Sequence, residues 1–256
     1  KYRRIMTGSP VTKSPLDLFS QVQFLDPWLL DQQSYYSFRA RYAVIVQRSV
    51  GTHSFQHIVR YQRLDELQAK LQNFSTRVLK SDCLDLPEKV YTKRSVSLTP
   101  EQLKAYTEMK KAAITFFEEN VMTAASVLTQ MIRLHQIICG HVKTDDGEIK
   151  SIKSNRIKEL LEVLEETDGK VIIWAVYRYD IQEIERTLGE KYGKESVATY
   201  YGDTKDSIRQ SIVDRFMDAD DPLRFFVGNP KTGGYGLTLT SSHTVVYYSN
   251  DYSLEV

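Results

Sequence analysis

Short apolar runs alternate with segments of helical periodicity from Gly169 onward. Val171 to Val176 holds six apolar residues without alternation, as expected for a strand that is buried on both faces. Isoleucine and leucine at helical spacing follow over residues 181–188, and residues 197–201 form the next apolar run. Strands that alternate with helices in this way predict a parallel α/β sheet.

A glycine-rich loop, Asn229 to Leu239, lies between the last two apolar runs, Arg224 to Gly228 and Thr244 to Tyr248. Its glycines are Gly233, Gly234 and Gly236. Open α/β sheets bind ligands at the carboxyl ends of their strands, where glycine lets the backbone come close to a ligand. The loop is therefore a candidate for phosphate contact, and an ordinary tight crossover is the alternative.

The first 25 residues are predicted to form a strand, a turn and a helix. Arg3 to Met6 is short and leans apolar, and Thr7 to Pro10 is a turn. Ser14 to Asp17 has a capping serine, a proline at the first helical position and an acid at the third. This pattern predicts a helix that starts at Pro15.

Residues 28 to about 166 are predicted to be mostly helical. Thr99 is a second capping residue, and Gln102 is placed to reach back to it. A further helix is predicted from about Met122 to Cys139, ended by glycine. Lys89 to Leu98 is the exception, because its partial alternation and β-branched residues indicate a strand.

Charge is unevenly distributed along the 256 residues. The net charge is +1 for the whole chain, +7 for residues 1–100 and −6 for the remainder. Residues 32–64 contain no acidic side chain, and their arginines alternate with tyrosine and phenylalanine. This mixture predicts nucleic-acid contact through Arg39 and Arg41. The alternative is a helical surface with core aromatics and solvated arginines.

The two cysteines, Cys83 and Cys139, are too isolated for a disulfide framework, which is typical of a reducing compartment. His135, Cys139 and His141 lack a fourth ligand, so we expect no metal and interpret Cys139 as a small core residue. No apolar stretch approaches the ~20 residues of a membrane span. We therefore expect no membrane contact and a cytoplasmic, nucleoid or nuclear location.

Seven segments, in this order, match motifs of a known family. They are Thr7-Gly8-Ser9-Pro10, Leu25-Asp26-Pro27, Arg77 to Lys89 with its Leu86-Pro87-Glu88-Lys89 end, Leu134 to His141, Lys170 to Tyr177, Tyr201 to Thr204 with Arg209, and Asn229 to Leu239. Their order and spacing resemble the Swi/Snf-type branch of the superfamily 2 helicase-like ATPases. The resemblance covers nearly the whole chain.

This resemblance implies an α/β fold with a RecA-like parallel sheet, the C-terminal lobe of a P-loop NTPase helicase, and a mainly helical protrusion. Residues 1–25 would end the first RecA-like lobe. Residues 26–166 would form the protrusion and linker. Residues 167–256 would form the second lobe, incomplete at its C terminus.

The resemblance also implies roles for individual residues. Thr7, Gly8, Ser9 and Pro10 would couple the two lobes, and Gly233, Gly234 and Gly236 would approach the nucleotide. The candidates for DNA-phosphate contact in the second lobe are Lys231, Thr232, Gly202, Asp203, Thr204 and Arg209. Arg209 could instead pair with Asp206 or Asp203. Lys231 stands where the family usually has arginine, which keeps the charge but loses bidentate geometry.

Within the chain we identify no Gly-x-x-x-x-Gly-Lys-Ser/Thr loop, no Asp-Glu magnesium motif and no arginine-finger helix. The resemblance therefore implies ATP and Mg²⁺ in an intact motor but neither bound to this chain. The implied partners are the missing first lobe and double-stranded or branched DNA. We expect only background ATP turnover when this chain is assayed with excess duplex DNA, and DNA-stimulated hydrolysis would contradict this.

Two other classes of function stay open at this stage. The chain could be a non-catalytic nucleic-acid-binding module, and DNA binding that persists without ATP would favour that interpretation. It could also be a protein-interaction module that keeps the lobe without using it. An absence of DNA binding at low salt would favour the second alternative.

Overall fold

The computed structural model describes residues 2–50, 53–85, 87–119, 124–144, 146–234 and 236–251. These residues divide into two compact units, which here are residues 2–90 and residues 91–251. We describe each unit by itself. This division into two units does not test the three functional segments that the sequence predicts, residues 1–25, 26–166 and 167–256. Those boundaries stay a prediction.

In its described residues, the first unit contains four helices and two strands. In chain order they are α1 (Leu18–Leu25), α2 (Tyr35–Tyr42), β1 (Ala43–Val50), β2 (His53–Tyr61), α3 (Leu64–Gln72) and α4 (Lys80–Cys83). A 3₁₀ turn, Pro15–Asp17, precedes α1. The predicted cap is confirmed, because the Ser14 side chain accepts from the N–H of Leu16 at 3.2 Å and the Asp17 carboxylate accepts from the N–H of Ser14 at 3.1 Å.

The core of the first unit forms where α1, α2 and α3 bury their apolar sides. Phe38 and Tyr42 are fully buried and their ring centroids are 4.8 Å apart. Leu30, Val22 and Leu67 complete the contact between the helices. Phe38 and Tyr42 of α2 are therefore core residues, as the helical-surface alternative proposed, whereas Tyr35 and Tyr36 of the same helix are exposed.

Three predictions of local structure in residues 3–98 are wrong. Residues 44–61 are largely strand rather than helix, because Val44, Ile45 and Val46 are all β-branched and pair with β2. Residues 3–6 and 89–98 form no strand. Both segments are mostly exposed and have no adjacent strand in the described structure, and a strand needs a partner for its backbone hydrogen bonds.

The second unit begins with two helices and a small hairpin. These are α5 (Pro100–Glu119), α6 (Ala124–Cys139), β3 (His141–Lys143) and β4 (Ile149–Ser151). The predicted capping pair is confirmed, because the Thr99 hydroxyl accepts from the N–H of Gln102 at 3.2 Å and the Gln102 side chain accepts from the N–H of Thr99 at 3.1 Å. Gly140 ends α6 at a φ of +96°. The predicted helix start at Met122 lies outside the described residues.

A four-stranded parallel sheet with helices forms the rest of the second unit. Its elements are α7 (Arg156–Glu165), β5 (Lys170–Trp174), α8 (Arg178–Tyr192), β6 (Val197–Tyr200), α9 (Asp206–Met217), β7 (Phe225–Gly228), α10 (Pro230–Gly233) and β8 (Ser242–Tyr247). The strand order is β6-β7-β5-β8, and every pairing is parallel. The predicted α/β class is confirmed.

Both faces of this sheet are covered. Ile173 and Val227 point into a core with α7 and α8, whereas Trp174 and Phe226 point into a second core with α9. Trp174 is buried, as predicted for a residue on a central strand. Because β5 and β7 are buried on both sides, their sequences lack alternation.

Candidate nucleic-acid interface

The carboxyl ends of the four parallel strands meet at one edge of the sheet. The segment 201–204 follows β6, residues 229–234 follow β7 and residues 248–251 follow β8. The glycine-rich loop and the Gly202 turn therefore lie on the same edge, as the sequence predicted. We call this set of loops the carboxyl edge.

Asn229 anchors the glycine-rich loop to the sheet. Its side-chain amide donates to the carbonyl of Val176 at 2.8 Å, and its side-chain oxygen accepts from the N–H of Lys231 at 2.9 Å. Its own N–H donates to the carbonyl of Tyr200 at 3.1 Å. These bonds tie the start of α10 to the segment after β5 and to the end of β6, and so hold Lys231 and Thr232 at the carboxyl edge.

The three loop glycines are required for different reasons. A Cβ on Gly233 would lie 3.1 Å from the Trp174 ring and 3.2 Å from Tyr200, and one on Gly234 would lie 2.3 Å from the Pro230 carbonyl oxygen. Gly236 has a φ of +75°, and a Cβ there would meet no described atom within 4 Å. Packing therefore accounts for the first two glycines, and Gly236 borders open space.

Lys231 projects from α10 and forms an ion pair with the segment after β8. Its ammonium lies 2.5 Å from the Asp251 carboxylate, and its side chain is 62% exposed against 15% for Asp251. Thr232 is half-buried on the same turn. The sequence analysis did not identify Asp251 as the partner of Lys231, although both follow strands of one parallel sheet.

The turn after β6 is braced by its own hydrogen bonds and by Arg209. The Thr204 hydroxyl accepts from the N–H of Tyr201 at 3.0 Å and donates to the carbonyl of Thr199 at 3.1 Å. Arg209 donates to the carbonyls of Thr204 and Tyr201 at 3.2 and 3.3 Å. The arginine therefore stabilises the shape of the turn.

Arg209 also pairs with Asp206 at 3.3 Å, so the predicted alternative of a local ion pair is confirmed. Asp203 pairs instead with Arg178 at 3.1 Å. This second pair joins the β6 turn to the first residue of α8. Gly202 is exposed beside it, and a Cβ there would have only an ordinary contact with Arg178 at 3.7 Å.

A buried polar network lies beneath the carboxyl edge, and the sequence analysis missed it. Asp180 accepts from the Ser249 hydroxyl at 3.1 Å, and Ser249 accepts from the N–H of Val176 at 2.9 Å. The other carboxylate oxygen of Asp180 is 3.3 Å from Nδ1 of His141, and both side chains are almost fully buried. The network joins β3, α8 and the segment after β8.

The three residues considered as a metal cluster have other roles. His141 faces Asp180. Nδ1 of His135 is 2.9 Å from the Tyr177 hydroxyl, and burial lowers the pKa of His135. Cys139 is a buried core residue, as predicted, and burial raises the pKa of its thiol to about 12. Among the described residues, no group of three or more His, Cys, Asp or Glu could hold a metal ion.

The remaining predicted residues lie in the first unit. Residues 7–10 are exposed. The Thr7 hydroxyl accepts from the N–H of Ser9 at 3.1 Å, and a Cβ on Gly8 would meet no described atom within 4 Å. Arg39 donates to the Gln56 side chain. Arg41 forms a bidentate pair with Glu66 at 2.8 and 2.9 Å, which raises the arginine's pKa and partly neutralises its charge.

No helix in the described part of the chain combines the length and apolar content that a bilayer crossing requires. The second unit has the features of a ligand-binding α/β lobe, with a parallel sheet covered on both faces and polar loops at the carboxyl ends of its strands. Comparisons with known proteins identify the particular family.

Residues 1–143 match the SNF2-related domain, and residues 152–256 match the helicase conserved C-terminal domain. The chain therefore belongs to the SNF2-related family. This confirms the resemblance drawn from the seven motifs. It also places the parallel sheet of the second unit in the helicase C-terminal region.

Two curated relatives illustrate the range of the family. The chain is 26% identical to the putative ATP-dependent helicase/translocase YwqA of Bacillus subtilis, over 95% of this chain and 26% of that protein. It is 24% identical to the SWI/SNF chromatin-remodeling complex subunit snf22 of Schizosaccharomyces pombe, over 99% of this chain and 16% of that protein. The chain thus spans about a quarter or less of their lengths.

A solved structure supports the fold. The C-terminal domain of the Sulfolobus solfataricus SWI2/SNF2 ATPase matches with a TM-score of 0.51 and 23% identity, over 59% of this chain and 68% of that chain. The match shows a shared RecA-like fold.

Proposed function

We propose that this chain is part of an ATP-dependent DNA helicase or translocase, in which the carboxyl edge of the second unit contacts the DNA backbone. The observation that carries the proposal is the shared position of Lys231 and the Gly202–Thr204 turn on one edge of the sheet. Family membership and the ATP-dependent helicases among the relatives support the same function.

Phosphate contact at this edge would be independent of base sequence. Lys231 supplies an exposed ammonium, and Thr232 supplies a hydroxyl on the same turn. A phosphate that approaches Lys231 would compete with the Asp251 carboxylate for the same cation. Backbone contacts of this kind position a protein on DNA without reading sequence, as a translocase requires.

Packing decides which of the loop glycines could come close to a nucleotide. The Cβ positions of Gly233 and Gly234 are occupied by neighbouring atoms, and Gly236 alone among the three borders open space. We therefore assign Gly236 the closest approach to a nucleotide bound against a separate first lobe, with ATP and Mg²⁺ held largely by that lobe.

The wider setting follows from the proposed function. Double-stranded or branched DNA and a first RecA-like lobe are the proposed partners. Thr7 to Pro10 would couple the lobes when ATP draws them together. A cytoplasmic, nucleoid or nuclear location would give the protein access to DNA.

Lys231→Ala is expected to weaken DNA binding similarly for all sequences and to flatten its salt dependence. Loss of one phosphate contact lowers the slope of log K against log salt by about 0.9. The measurement is fluorescence anisotropy of labelled duplexes of two unrelated sequences, titrated over about 50 to 200 mM salt.

Lys158→Ala is the matched control, because Lys158 is also an exposed lysine and pairs with a carboxylate, that of Glu162, at 3.7 Å. It lies on α7, outside the loops that form the carboxyl edge. The control is expected to keep the original slope. Equal slopes for both variants would show that Lys231 is not a phosphate ligand.

A further inference from the structure

The hairpin formed by β1 and β2 has two chemically different faces. In the register of the strands, Val44 is opposite Arg60, Val46 is opposite His57 and Arg48 is opposite Phe55. Val44, Val46 and Arg48 alternate onto one face of β1, and residues directly opposite each other share a face, so these six residues lie on one face. We call it the cationic face.

The opposite face of the hairpin carries no charge of its own. Its pairs are Ile45 with Ile58, Gln47 with Gln56 and Ser49 with Ser54. Beyond the isoleucines this face consists of neutral amides and hydroxyls. The two arginines of the strands, Arg48 and Arg60, are thus both on the cationic face, although the bulge between Val44 and Ile45 interrupts the register.

The cationic face is exposed, and its arginines are available to a partner. Arg48, Arg60 and His57 are exposed, and neither arginine makes a hydrogen bond or ion pair with a described residue. Arg39 and Arg41 differ, since they contact Gln56 and Glu66 within the unit. The structure thus changes which arginines of the acid-free segment are the best candidates for binding.

Apolar side chains lie between and beside these charges. Phe55 is 46% exposed and Val46 is 38% exposed, on the same face as Arg48. The pair that contains Arg60 (Val44 with Arg60) and the pair that contains Arg48 (Arg48 with Phe55) are four residues apart along β1. This spacing corresponds to about 13 Å. This is close to the rise of four base pairs along a duplex.

We infer that the cationic face of the β1–β2 hairpin is a DNA-binding surface separate from the carboxyl edge of the second unit. Charge complementarity selects the occupant, because residues 32–64 carry no acidic side chain and a phosphate backbone is a regular array of negative charge. Arg48 and Arg60 contact phosphates, and Phe55, which is opposite Arg48, packs on sugar or base edges. The inference rests on DNA being the partner in the proposed function.

The double variant Arg48→Gln/Arg60→Gln tests the inference in the full chain. Loss of two phosphate contacts is expected to lower the salt slope of duplex binding by about two units and to weaken binding about tenfold or more at low salt. Lys150→Gln/Lys158→Gln removes the same charge from exposed positions in the second unit and serves as the control. Gln47→Ala/Ser54→Ala tests the neutral face and is expected to have no effect on the slope.

Each outcome has a distinct meaning. If the arginine variant and the lysine control bind DNA with the same slope, the inference is wrong, even when Lys231→Ala still lowers the slope and supports the proposed function. A variant that binds DNA normally but loses affinity for anionic lipid vesicles would assign the face to a membrane surface and overturn the inference. If the unmodified chain binds no duplex at low salt, the inference and the proposed function both fail.

Discussion

Phe226→Ala is expected to lower the free energy of unfolding of the second unit by about 3–5 kcal/mol. Phe226 is fully buried on β7, stacks on Tyr200 with 5.4 Å between ring centroids, and also packs against Phe216 at 5.4 Å. Trp174 contacts it edge-on at 6.0 Å. Truncation removes these contacts and leaves a cavity that a rigid parallel sheet fills poorly.

Urea denaturation followed by tryptophan fluorescence measures this loss. The chain has two tryptophans, and a Trp28→Phe background leaves Trp174 as the reporter of the second unit. Tyr247→Ala is the matched control, because Tyr247 is an aromatic residue of the same sheet but is 57% exposed. Tyr247→Ala is expected to lower the free energy of unfolding by less than about 1 kcal/mol. Similar decreases in the free energy of unfolding for the two variants would contradict the buried position of Phe226.

Asp180→Ala is expected to destabilise the second unit by about 1–3 kcal/mol, because it leaves the buried Ser249 hydroxyl without its acceptor. The variant also removes the carboxylate that lies 3.3 Å from Nδ1 of the buried His141. We also expect the segment after β8, which carries Asp251, to become less protected from amide hydrogen exchange. Lys231 would then lose the support of its ion pair.

Glu183→Ala is the control on the same helix. Glu183 pairs with Arg186 at the surface, where an exposed ion pair contributes about 0.5 kcal/mol. A double-mutant cycle of Asp180→Ala with Ser249→Ala would give the coupling energy of the buried hydrogen bond. Additive losses, or a loss for Asp180→Ala no larger than for Glu183→Ala, would show that the network does not hold this edge together.

Local rules predicted the helix starts and the strands of the sheet. The Ser14 and Thr99 caps depend on residues three positions apart, so the chain segment itself contains both partners. The unbroken apolar run at Val171 required burial on both faces, and the parallel sheet provides it. The β1–β2 hairpin was not predicted, because aromatic and arginine residues alternate there without a clear period and only pairing of the two strands selects the extended state.

The candidate site was predicted in position but not in its contacts. The rule that loops after parallel strands share one edge brought Lys231 and Gly202 together. It did not reveal that Gly233 is required by the Trp174 ring, or that Arg41 is paired with Glu66. These partners are separated by 59 and 25 positions in the chain, too far for any local pattern to relate them.

The amino-acid sequence by itself determined the α/β class, the family and the edge of the sheet on which the loops after β6 and β7 lie. Periodicity and motif order carry that information, because they reflect interactions between residues close in the chain. Only the tertiary structure decided which charges are available, pairing Lys231 with Asp251 and leaving Arg48 and Arg60 exposed on one face of a hairpin. Ion pairs and strand register depend on how distant segments pack, and composition alone does not specify that.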